Sequence, residues 1–414
     1  MAKHAFLALA VIVAMAAPAA AQDFGTDWID RVTQQVTQER GPLSAQPWEV
    51  HLTGGLEVYF DDNIYLREED ETEDTILIPF GRVTVTYAEP RFEFQGDLLA
   101  NYKLYMDPDE ELTPEEEDLD DDEERLYLRA RQASSRYSLE LAQILQRVSD
   151  PIGVLFVERA ERVVSNTIPR VEFDLTRQWA VEVTANYQVV RYEDKQLGEA
   201  LENNAARVEG SLIYRTAYGF DLLAQVGWQD ISYRADESVG APPDAFGWYG
   251  RIGWRGYLSE RFYAEILVGF DQIESDFFAG TSTDVEDETG GAYALLRYEF
   301  TETIKASAEY SRQFTFAGAG DPYQRVDRVL AIVDMELTEQ VGLKARFQWD
   351  HASTALSTER TYLSVGGGAW FKPVAWMIID AGVTMRSGDA ENEDIGLDTE
   401  YDNVIFHVGL AATY

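Results

Sequence analysis

Four stretches of the chain keep their charged side chains on a single parity. Arg125, Arg129 and Arg131 alternate with Leu126, Leu128 and Ala130, and Arg251 and Arg255 sit among Trp248, Ile252 and Trp254. Arg297 and Glu299 share one parity, and Lys344, Arg346 and Asp350 alternate with Ala345, Phe347 and Trp349. Successive strand side chains point to opposite faces, so this spacing gives each segment one charged and one apolar face. Charges of both signs on a wet face do two kinds of work. They pair across strands and hold a sheet together, or they line a pore and sort dissolved solutes. Neither breaks a bond.

Bond-making chemistry has little to draw on. There is no cysteine, hence no thiolate nucleophile and no thiolate metal site. His51, His351 and His407 are the histidines beyond the first residues, and no nucleophile–base signature accompanies them. No enzymatic activity and no cofactor are expected. Acidic residues outnumber basic ones 74 to 34, which argues against nucleic acid as a partner.

Acid is concentrated in two runs, DDNIYLREEDETED at 61–74 and DPDEELTPEEEDLDDDEE at 107–124. Asp118, Asp120, Asp121 and Asp122 are the densest carboxylates. They suit diffuse binding of Ca²⁺ or Mg²⁺ through oxygen ligands, without the spacing of a defined calcium loop. The run is otherwise a solvated loop. A third segment, VSDPIGVLFVERAERVVS at 148–165, is more apolar and carries Glu158, Arg159, Glu161 and Arg162. It is the candidate constriction loop. Folded inward, its glutamates would face Arg129 and Arg131; otherwise it packs on the rim.

The elements that must position these residues are long alternating strands. RFEFQGDLLANYKLY, WAVEVTANYQVV and VGLKARFQWD each carry one apolar and one mostly polar face. Such segments run roughly 10–14 residues, against ~5–6 for strands of soluble sandwiches, and that is the length a tilted strand needs to cross a bilayer. Short turns such as YAEPRF and LTEQVG alternate with long polar loops. Eight turns and nine loops give eighteen strands, with sixteen the alternative. The spacing therefore predicts a closed antiparallel transmembrane β-barrel over 47–414, with short periplasmic turns and long acidic outer loops. By parity His51 and His407 face its lumen in a structural role, as do Tyr105, Tyr127, Tyr249, Tyr257, Tyr263 and Tyr293.

The chain begins with Lys3, His4, an apolar run and Ala19-Ala20-Ala21, the pattern of a signal peptide over 1–21. Residues 22–46 lack alternation and read as a periplasmic N-terminal segment. The last strand, DNVIFHVGLAATY, alternates to Tyr414.

These features together resemble the Gram-negative outer-membrane β-barrel proteins, in particular the porin-like barrels of similar length. The resemblance implies export to the outer membrane, contact with lipid and lipopolysaccharide, and assembly-machinery recognition of the terminal strand at Tyr414, where the class usually has Phe. It implies a channel for passive diffusion of small polar solutes. A conduit for polysaccharide export and a structural or adhesive surface barrel are the alternatives.

Overall fold

Strict alternation lets a strand bury one face in an apolar medium while the other stays wet, and a sheet of such strands is stable in a bilayer only if it closes. In the computed structural model this closure is complete. It describes residues 47–63, 73–106, 121–148, 161–192, 202–234, 244–275, 285–315, 323–354, 359–392 and 397–414. The strands are β1 (Trp48–Asp61), β2 (Asp74–Glu89), β3 (Phe92–Tyr105), β4 (Asp121–Ala133), β5 (Tyr137–Val148) and β6 (Arg162–Asp174). They continue with β7 (Trp179–Tyr192), β8 (Asn203–Arg215), β9 (Phe220–Tyr233), β10 (Ala245–Ser259), β11 (Phe262–Ser275) and β12 (Val285–Glu299). The last six are β13 (Ile304–Thr315), β14 (Gln324–Thr338), β15 (Val341–Thr354), β16 (Glu359–Val374), β17 (Met377–Asn392) and β18 (Leu397–Thr413).

Each strand pairs antiparallel with its chain neighbours, and β1 pairs with β18 from Thr53↔Thr413 to Asp61↔Ile405. Eighteen strands, not sixteen, close the barrel. The closing seam is fastened at its end by the Thr53 and Thr413 hydroxyls, 2.9 Å apart, and by a reciprocal backbone pair between Leu52 and Tyr414. The final residue of the sequence is thus part of the wall.

The short turns have a shared chemistry. Ser134, Thr176, Thr216, Ser259, Thr301 and Thr338 each accept the N–H two residues on through their hydroxyl oxygen, at 3.1 to 3.4 Å. A hydroxyl in that position replaces the ladder partner the turning chain has lost. Gly219, at φ 86°, takes a left-handed turn position that a side chain would strain.

Outward faces are apolar and exposed, with Trp179, Val183, Phe347, Phe406 and Val408 all pointing away from the lumen. Aromatic pairs gather near the short turns (Trp48–Tyr87, Trp179–Tyr214, Phe262–Tyr298), and Trp248–Phe270 lies toward the long-loop end. An apolar band between aromatic girdles is the form of a bilayer-spanning barrel wall.

The inward faces are less uniformly polar than the sequence pattern implies. Ile76, Ile78 and Phe80 on β2 face inward and are buried with Tyr59, Tyr105, Leu99 and Ile405. A row of directly opposed residues, Ala180, Ile213, Leu223, Gly253, Leu267 and Tyr293, crosses six strands, and all but the glycine belong to one buried cluster. Elsewhere on the inner face, Tyr249 lies so close over Gly227 that a Cβ there would meet its ring.

Candidate functional site

The lumen wall is a ladder of cross-strand ion pairs. Arg82 binds Asp97 at 2.6 Å, Lys103 binds Glu123 at 2.6 Å, and Arg129 binds Glu140 at 3.0 Å. Arg215 reaches both Glu172 and Asp174, and Arg170 binds Glu182. Asp350 takes two hydrogen bonds from Arg328, and Asp380 lies 3.2 Å from His407. A buried charge is stable only with its partner, so these pairs fix the rungs in place.

All the wall residues expected from alternation lie on inward-facing positions. Arg125 faces Leu99 across β3 and β4, and Arg131 is 3.7 Å from Glu93. Arg251 makes two hydrogen bonds to Asp271, and Arg255 lies 3.5 Å from Asp221. Arg297 sits over the Tyr263 ring at 5.9 Å, and Glu299 is exposed near the short turns. Lys344 is half-buried, and Arg346 donates to Gln348 at 3.0 Å. His51 and His407 both face inward; His407 stacks on Tyr59. Of the inward tyrosines, Tyr105, Tyr249 and Tyr293 are buried under neighbours, while Tyr257 is exposed.

The candidate constriction loop falls largely outside the described residues, Glu158 and Arg159 included. Its end is visible. Glu161 binds Arg147 at 2.9 Å, and Arg147 also binds Asp122 at 2.7 Å. That triad lies on the outward parity, so Glu161 does not face Arg129 or Arg131, which have their own acids. Asp122 accordingly serves an ion pair, the side chain of Asp121 is outside the described set, and so are Asp118 and Asp120. Arg162 is buried at the start of β6, opposite Val148.

A narrowing arises elsewhere, where the sequence pattern gave no sign of it. The β12–β13 ladder stops at Ala292↔Arg312, yet β11–β12 runs on to Ser275↔Val285 and β13–β14 runs on to Thr315↔Gln324. Beyond Arg312, β13 leaves the wall and enters the lumen. Phe314, outward by parity, is 2% exposed. It packs with Tyr323, edge to face at 5.6 Å, against Ala245 and Ile273, inward residues of β10 and β11. Gln313 accepts a hydrogen bond from Arg207 of β8 at 3.3 Å. In an evenly round barrel of eighteen strands, β8 and β13 would stand roughly 25 Å apart, beyond the reach of two side chains. The in-turned end of β13–β14 therefore bridges the lumen.

The residues it meets form one polar group. Arg207 donates to the Tyr249 hydroxyl at 2.8 Å, and that hydroxyl donates to Glu209 at 2.7 Å. The Arg207 and Arg251 guanidinium groups lie 4.5 and 4.8 Å from the centre of the Tyr249 ring. With Asp271 beside Arg251, both signs of charge line the gap. The gap thus presents hydrogen-bonding groups and both signs of charge rather than an apolar surface. Arg251 is legible from alternation; Arg207, Glu209, Asp271 and Gln313 share the same inward parity, but nothing in their spacing sets them apart from other inward residues.

No family model matches the chain, and no curated relative does. Among solved structures, Pseudomonas aeruginosa OpdK with vanillate matches at a TM-score of 0.48 and 10% identity, covering 88% of this chain and 99% of that one. P. aeruginosa OccK2 with glucuronate gives 0.47 and 10%, over 90% and 100% of the two chains. The FrpB iron transporter of Neisseria meningitidis gives 0.48 and 8%, over 90% and 82%.

Proposed function

We propose that this chain is an outer-membrane channel for passive diffusion of small polar solutes, narrowed by the in-turned end of β13–β14. It acts as a conduit rather than an enzyme. The observation that carries the reading is the two-faced wall: an apolar outward band on a closed sheet, and an inward ladder of ion pairs that only water or polar solute can wet. Lipid and lipopolysaccharide would contact the band, with the leader directing export and the strand ending at Tyr414 offered to the assembly machinery.

The acidic outer loops would set charge preference. Paired charges on the wall nearly cancel, so most of the net charge of −40 comes from elsewhere, above all the runs near the mouth. A negative mouth concentrates cations by its local potential. In a salt gradient, the reversal potential should show cation preference that weakens at high salt as screening sets in. Deleting 108–120 should reduce the preference and keep the conductance. Anion selectivity of the intact protein would contradict the reading. Divalent cations at the same loops would bridge to lipopolysaccharide, and added Ca²⁺ should then lower the preference too.

A further inference from the structure

On the inner wall, not every carboxylate is a rung of the ladder. Glu309 of β13 makes no hydrogen bond and no ion pair among the described residues, although it faces the lumen. Two strands away in the same row is Glu265, with Leu295 of β12 directly between them. Glu265 is 8% exposed and accepts one hydrogen bond, from the Tyr263 hydroxyl at 3.2 Å. One step along β12 is Tyr293, 3% exposed, whose hydroxyl has no hydrogen-bond partner. The carboxylates of Glu309 and Glu265 are the acids within electrostatic reach of that hydroxyl, and of each other.

A buried hydroxyl without a partner is costly, and two carboxylates sharing a site repel. Both costs are relieved by one cationic guest. The Cα atoms of residues two strands apart lie roughly 10 Å from each other. One ammonium or guanidinium group held by N–H···O bonds of about 2.8 Å spans roughly 5–6 Å between two carboxylates, a separation that two glutamate side chains leaning toward each other across Leu295 can reach. Arg328 and Arg297 are within electrostatic reach of Glu309, and Arg255 and Arg297 of Glu265, but the contacts these cations make are to other groups: Arg328 to Asp350, Arg255 to Asp221, and Arg297 over Tyr263. Leu267 and Leu295 supply an apolar floor, and the Tyr263 and Tyr293 rings flank it. That combination suits an aliphatic chain behind the charged head. A metal ion is a poorer match, since among the described residues no group of three or more ligating side chains comes together.

We propose that Glu309, Glu265 and Tyr293 form a resting site for an organic cation, an aliphatic amine or guanidine, on its way through the lumen. The site rests on the channel reading above. Putrescine is the probe, measured as block of K⁺ current in planar bilayers and as equilibrium binding to the purified full chain. E309Q should raise the half-blocking concentration roughly tenfold, as loss of one charge-assisted bond does, and E265Q should act in the same direction. Y293F should weaken block several-fold at unchanged K⁺ conductance. E49Q, an inward carboxylate on the far wall, should leave block unchanged. Equal block in wild type, E309Q and E265Q overturns the site, as does block by Ca²⁺ but not putrescine. Glu309-dependent binding without any K⁺ current would instead overturn the channel reading and leave the site standing.

Discussion

Replacing Phe314 and Tyr323 with alanine should widen the pore. The two rings hold the outer end of β13–β14 against Ala245 and Ile273, and all four residues are at most 2% exposed. Truncating one buried aromatic costs about 3–5 kcal/mol. A loss of even 3 kcal/mol from the in-turned arrangement changes its population relative to an outward one by about a hundredfold. The rest of β13 and β14 keeps its ladder, and the Arg312–Asp327 and Tyr310–Asp327 contacts lie outside the packed rings. The double variant should therefore assemble normally, conduct more, and admit larger sugars in liposome swelling. Gln313→Ala removes one hydrogen bond, worth about 1 kcal/mol, and should have a much smaller effect. An unchanged size cutoff in a properly assembled double variant would place the narrowing elsewhere.

A lysine at Val183 or Ala345 should block assembly, whereas a lysine at Thr184 or Gln348 should not. Val183 and Ala345 point out into the apolar band. A lysine at mid-bilayer costs about 2–4 kcal/mol, a large share of the net stability of a typical folded protein. Thr184 and Gln348 face the lumen one residue away; Thr184 lies opposite Glu209, and Gln348 already donates to Asp350 at 2.8 Å. The four variants differ only in which side of the wall takes the charge. Heat-modifiable migration on gels separates folded from unfolded barrel. Equal tolerance at all four positions would mean the wall does not face lipid.

Much of this wall is legible in sequence because a period of two has only two outcomes. Phe406, Val408 and Leu410 against His407 and Gly409 leave the last strand no other way to face. The turns are legible too, since a Ser or Thr at each of six turns announces its own hydrogen bond. Parity fails where the chain leaves the wall. Phe314 belongs to the outward series of β13, and only the early end of the β12–β13 ladder turns it inward. Apolar residues on both faces are the other blind spot. Ile76, Ile78 and Phe80 face inward on β2 while Leu77 faces out, so alternation is lost to the eye although the strand is regular. Glu309 has the same parity as its neighbours Ser307 and Ser311, and nothing in its spacing distinguishes an unpaired carboxylate from a rung of the ladder. Pairing is a property of neighbours brought together by register.

The most direct test of a water-filled channel is the single-channel conductance of the purified chain in a planar bilayer. A stable conductance that rises with salt, selects cations at low salt, and increases in the Phe314→Ala/Tyr323→Ala variant is expected. A folded, heat-modifiable barrel that carries no current, in wild type and in that variant alike, would contradict it.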